Sequence, residues 1–161
     1  MRHLVKLTFF VALLGLGACA QTGYLGDAPI NGTGVASDPN SVAYFNQTVG
    51  DRVLFAVNEN TLSAEARGIL DDQADWMLRN MEYSALIEGH ADERGTREYN
   101  LALGARRAAS VEEYLISRGI APSRVNTISY GKERPLEICS AESCYEQNRR
   151  AVTVLSAGAG S

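Results

Sequence analysis

A carboxylate and a guanidinium fifteen residues apart, Asp92 and Arg107, are the side chains in this sequence best placed to do chemistry. Asp92 follows a short apolar run, and Gly95 lets the loop after it turn back toward a helical stretch carrying Arg107. On that helix Leu103, Arg107 and Val111 recur at four and lie on adjoining positions of one face, which puts Arg107 at the border of a buried stripe. A carboxylate at the mouth of a strand-to-helix loop can accept from an ammonium, while a guanidinium can donate in bidentate fashion to a carboxylate. Together they can hold a zwitterion. Taken singly, the same two residues serve as a loop or N-cap aspartate and a solvated arginine. The charged neighbours Glu93, Arg94, Arg97 and Glu98 read as surface ion pairs, each contributing about 0–1 kcal/mol. His90 lies two residues from Asp92, where the strand breaks, and a metal centre would need more ligands than the segment offers. No metal and no cofactor are expected.

The elements that must position this pair follow from periodicity. Val53-Leu54-Phe55-Ala56-Val57, closed by Asn58-Glu59-Asn60, reads as a buried strand. After Ser63, a suitable N-cap, the recurrence of Ala66, Ile69, Leu70, Ala74, Met77 and Met81 at three and four predicts a helix to about Asn80. Ala85–Gly89 is a second strand, and the helical crossover makes it parallel to the first. Arg97–Arg118 is a second helix, with Leu101, Ala105, Ala108, Val111 and Leu115 expected inward and Gly119 at its C′ position. Arg124–Tyr130 alternates as a third strand, a long loop with a helical turn follows, and Ala151–Leu155 is a fourth. The fold class is α/β, an α+β sandwich: a mixed sheet of about four strands with two main helices on one face, in βαβαβ-loop-β order.

The amino end is an address. Arg2 and Lys6 precede a ten-residue apolar run, Leu7–Leu16, which rises about 15 Å as a helix, half of a hydrocarbon core of about 30 Å. Residues 1–18 therefore read as a signal peptide. Leu16-Gly17-Ala18-Cys19 resembles the bacterial lipobox, which makes Cys19 the lipidated first residue of the mature chain, and Ala20 after it implies sorting to the outer membrane. Residues 19–47 then form the lipidated terminus and a flexible tether, and 48–157 the folded domain. A tether of this kind spans on the order of 30 Å as a coil and roughly 90 Å when stretched. Acyl chains contribute about 0.8 kcal/mol per buried methylene, so several make a lasting anchor.

Export also settles the expectation for Cys139 and Cys144, four residues apart from edge to edge in the long loop: a structural disulfide. Their spacing is not that of a Cys-x-x-Cys redox pair. Loss of Arg2 and Lys6 with the signal, and of no acid, moves the formal charge from −4 to −6. An acidic chain without a basic stripe excludes nucleic acid as the natural partner.

The stretch from Gly89 to Asn100 (GHADERGTREYN), the Asn100-x-x-Leu103 to Arg107-Ala108-x-x-Val111 pattern, Ser129–Pro135 (SYGKERP) and Gln147–Val152 (QNRRAV) resemble the peptidoglycan-associated lipoproteins, whose folded part is a domain of the outer-membrane protein A type. The resemblance covers the lipobox and nearly all of residues 50–155. It implies that Asp92 and Arg107 hold the ammonium and carboxylate of meso-diaminopimelate in the peptidoglycan stem peptide. It carries Phe55 over as an apolar wall, with Ala56 where the family usually has an aspartate. It further implies an outer-membrane protein facing the periplasm, TolB and other Tol proteins as partners, and a part in drawing in the outer membrane at division. Two rival readings differ in class: an enzyme acting on peptidoglycan, for which Glu88 with Asp92 is the nearby acidic pair, and an anchor that binds only proteins.

Overall fold

The computed structural model describes residues 37–158. Residues 1–36, which hold the expected signal peptide, Cys19 and most of the expected tether, lie outside the described residues. In chain order the elements are α1 (Val42–Tyr44) running into a wide π turn (Phe45–Gly50), β1 (Arg52–Leu54), α2 (Ala64–Arg79), β2 (Tyr83–His90), α3 (Arg97–Ser117), β3 (Val125–Gly131), α4 (Glu142–Asn148) and β4 (Arg150–Ala157).

The helices start and stop where local chemistry directs. Ser63 Oγ accepts from the Ala66 amide at 3.0 Å, and Thr96 Oγ1 accepts from Tyr99 at 3.2 Å, each satisfying an amide that has no partner within its helix. Gly119 takes φ +101°, the left-handed turn that releases the chain from α3.

The sheet order is β1-β4-β2-β3, with β2 and β3 parallel and β4 antiparallel to both β1 and β2. β1 and β2 thus run the same way, as the crossover requires, but β4 lies between them. A single core fills the space between the sheet and its helices. Leu70, Ala74, Trp76 and Met77 of α2 and Ala108, Val111 and Leu115 of α3 pack on Val53, Ala85, Ile87, Val125 and Ala151.

Four sequence expectations change. The first strand stops at Leu54 instead of Val57, because the chain leaves the sheet there; Phe55 is buried, but Ala56 and Val57 are exposed. On α3 the inward residues are Asn100, Leu103, Gly104, Arg107, Ala108, Val111 and Leu115, while Leu101 is 44% exposed and Ala105 is exposed as well. Met81 lies beyond the end of α2 and is 75% exposed, while Gln73 and Trp76, not on the expected face, are buried. The segment assigned to the end of the tether is folded: Trp76 Nε1 donates to the Pro39 carbonyl at 2.7 Å, and the buried Phe45 ring lies 5.0 Å from the Trp76 ring. The folded body thus takes in at least part of residues 37–47.

Candidate functional site

Gly89 on β2 and Gly104 on α3 face each other so closely that a Cβ on Gly89 would overlap the Gly104 carbonyl. Strand and helix therefore meet backbone to backbone. Three residues after each glycine stand Asp92, just past the end of β2, and Arg107, on α3. The glycine contact sets the separation of the pair before either side chain is considered.

Arg107 is fully buried. Its Nε donates to the Glu59 carbonyl at 2.8 Å, Nη1 to His90 at 2.8 Å and Nη2 to Ala56 at 3.1 Å. The guanidinium carbon lies 5.1 Å from the centroid of the Phe55 ring. Three of its five N–H groups are thus spent on backbone, which leaves two. The expectation of an arginine at the rim of the buried stripe is corrected: it sits inside, under the exposed segment 56–59, and that segment is why β1 ends early. Burial pushes the guanidinium down to about 10, against the favourable charge of Asp92, while Arg149 presses it lower.

Asp92 is held from three directions. Its carboxylate accepts from the Arg94 amide at 3.1 Å, from Arg94 Nη2 at 2.8 Å and from Arg149 Nη1 at 3.3 Å. Burial alone would push its carboxyl up, but the two guanidiniums and the amide outweigh burial and hold it below the ordinary aspartate range. A carboxylate so held stays ionised, which suits an ammonium ligand and unsuits it as a general acid.

The structure brings Asp92, Arg107 and Phe55 to one place: Asp92 just past β2, Phe55 just past β1 and Arg107 at the middle of α3. It adds residues to which the sequence alone assigns no role. Arg149, just before β4, is buried, and its Nε donates to the Phe55 carbonyl at 3.1 Å. Glu142, on α4, accepts from Arg149 Nη2 at 2.8 Å and pairs with Arg94 Nη1 at 3.5 Å. Arg94, read as a surface ion, lies over the Tyr145 ring at 4.6 Å and belongs to this network. The sequence signal for Arg149 was its place in the Gln147–Val152 motif, but nothing local says that β4 enters beside β1. Cys139 and Cys144 form a disulfide with Cα atoms 5.9 Å apart, and it closes the loop that leads into α4.

Two groups fall elsewhere. The His90 ring turns to Tyr130, 5.6 Å away, with Glu88 at 3.7 Å, and burial followed by the charges of Arg150 and Arg134 lowers it to about 4. Arg97 pairs with Glu133 at 3.1 Å on the surface. Among the described residues no cluster of three His, Cys, Asp or Glu side chains gathers to hold a metal.

Residues 54–149 match the model of the OmpA family. Over 154 residues the chain is 50% identical to the peptidoglycan-associated lipoprotein of Mesorhizobium japonicum, covering 94% of this chain and 90% of that one. The chain belongs to the OmpA family, among its peptidoglycan-associated lipoproteins. Within the family, the peptidoglycan-associated lipoprotein of Rhizobium meliloti is 52% identical over 153 residues, covering 94% of this chain and 86% of that one. The crystal structure of the peptidoglycan-associated lipoprotein from Burkholderia pseudomallei superposes with a TM-score of 0.67 at 33% identity, over 75% of this chain and 98% of that one. The α+β fold is the family's, and the chain is a non-catalytic member of it.

Proposed function

We propose that the protein is a lipid-anchored outer-membrane protein that grips peptidoglycan without covalent attachment, through meso-diaminopimelate of the stem peptide. In this reading residues 1–18 are removed, Cys19 carries the lipid, and the tether lets a periplasmic domain reach the wall. Asp92 accepts from the ligand's ammonium. Arg107 offers its two remaining N–H groups to the ligand's carboxylate as segment 56–59 shifts, and Phe55 lines the methylenes. The resemblance to the family extends the reading to the Tol proteins, with TolB competing for an overlapping face, and to constriction of the outer membrane at division.

The observation that carries the reading is an ionised Asp92 beside a guanidinium with donors to spare, in a family whose named relatives are peptidoglycan-associated. An enzyme would need a carboxyl of raised pKa at this strand end, and Asp92 is shifted the other way.

Asp92→Asn keeps the shape and removes the charge. It should weaken cosedimentation with diaminopimelate-type cell wall by about 2 kcal/mol or more, and Arg107→Lys should also bind poorly because an ammonium cannot fork. Parental affinity in a folded Asp92→Asn chain would sink the proposal. Release of soluble wall fragments by the parent would point to an enzyme instead.

A further inference from the structure

Asp92 does not have its two arginines to itself. Arg94 and Arg149 are shared between Asp92 and Glu142, through contacts of 2.8 and 3.3 Å on one side and 3.5 and 2.8 Å on the other. The two carboxylates and two guanidiniums cancel, and the unmatched charge in the site is that of Arg107. Without Glu142, both guanidiniums would turn their full charge on Asp92. An incoming ammonium would then meet an aspartate neutralised twice over, beside Arg107 as a third cation. Three cations against one carboxylate favour a bare anion over a zwitterion.

Glu142 sits where it does because its loop is fixed at several points. The Cys139–Cys144 disulfide brackets it, Ser140 Oγ donates to Glu93 at 3.0 Å, and Tyr145 Oη donates to the same carboxylate oxygen at 2.8 Å. The Asn148 side chain ties the other end of the loop, accepting from the Leu136 amide at 2.7 Å and donating to the Glu137 carbonyl at 2.8 Å. The disulfide thus does more than staple a surface loop; it sets the place of a charge in the site.

We infer that Glu142, held in place by the Cys139–Cys144 loop, is a specificity-determining positioning residue: by sharing the charge of Arg94 and Arg149 it keeps Asp92 negative enough to accept an ammonium. The inference rests on the proposed function and assigns the preference for a zwitterion to a residue that does not itself contact it.

Two soluble stem-peptide fragments make the test, one ending in meso-diaminopimelate and one carrying 2-aminopimelate, which keeps the far carboxylate and lacks the ammonium. Affinities are read by calorimetry on the full chain in detergent. The parent should prefer the first fragment. Glu142→Gln should bind it about tenfold more weakly and bind the second about as well as the parent does, so that the preference shrinks; Glu142→Asp should recover most of it. A loss of fold would weaken both fragments alike and would count against the inference. Dithiothreitol, giving two electrons and two protons to the Cys139–Cys144 bond and closing to its own disulfide, should reproduce the Glu142→Gln effect in the parent. It should add little in Glu142→Gln, since both changes act on one interaction. If the parent binds and Glu142→Gln keeps the parental preference, the inference falls while the functional reading stands. If the parent binds neither fragment, both fall.

Discussion

Where Gly89 meets Gly104, one wall of the site is backbone packed on backbone, with Arg107 driven into three carbonyls behind it. Across from it, the loop from Lys132 to Arg149 has almost no core: residues 133–143 are all exposed, and a disulfide, two hydroxyls, an amide side chain and shared ion pairs hold it. Packing is insensitive to salt and tolerates no added volume, whereas exposed ion pairs are screened within a Debye length of about 8 Å at physiological ionic strength. The packed wall fixes distance. The ionic wall adjusts charge.

Changes to the packed wall should cost the most. Arg107→Ala would leave the carbonyls of Ala56, Glu59 and His90 without their donor and remove the cation from the Phe55 ring, so a loss of about 3–5 kcal/mol is expected by urea unfolding. A loss under about 1 kcal/mol would mean that water replaces the guanidinium freely and that the wall is not closed. Gly89→Ala comes next. Its methyl has no room against the Gly104 carbonyl, and about 3 kcal/mol should be lost, with ligand binding impaired because Asp92 and Arg107 are pushed apart. An unchanged melting temperature would show that strand and helix separate easily.

The ionic wall should yield less. Cys139→Ser with Cys144→Ser reopens a short loop, which the chain-entropy estimate places at about 2 kcal/mol, and thermal unfolding of the oxidised parent beside the double variant measures it. A cost as large as that of Gly89→Ala would erase the contrast between the walls. Smallest of all is Arg97→Ala: its partner Glu133 is at 3.1 Å, but the two side chains are 68% and 49% exposed, so stability should change by about 0–1 kcal/mol and cell-wall binding hardly at all. A clear binding defect there would extend the site onto the first turn of α3.

The parts legible in the sequence are those governed by short-range rules. Ser63 and Gly119 act on amides and dihedrals within a turn of themselves, and the α2 and α3 boundaries are accordingly close to the expected ones. On α3 the expected inward residues Ala108, Val111 and Leu115 are buried, but toward the start of the helix the buried stripe contains Asn100 and Arg107, two polar residues, while apolar Leu101 and Ala105 lie on the next stripe round. Counting hydrophobic spacing misses the positions where a polar side chain is buried in the stripe. Asp92, Arg107 and Phe55 stand in motifs that the sequence displays, and the fold gathers them, but Arg149 and Glu142 reach them only because β4 enters between β1 and β2. That insertion joins residues nearly a hundred apart in the chain, as in the 3.1 Å bond from Arg149 to Phe55, and no local pattern encodes it.

The antiparallel ladder between β1 and β4 also has a mechanical meaning. The chain enters the domain past Pro39 and Phe45 and runs directly into β1, which leads into Phe55 at the site. A protein tethered at its amino end and held at Asp92 would be pulled along β1 rather than across it. The rungs from Arg52↔Val152 to Leu54↔Arg150, extended by Thr153 N to Asp51 O at 2.7 Å and Phe55 N to Arg149 O at 2.8 Å, would then bear tension side by side instead of opening one after another. In that shear geometry even a three-residue strand can transmit force, and the lifetime under load follows the unfolding rate of the whole ladder rather than that of its weakest bond.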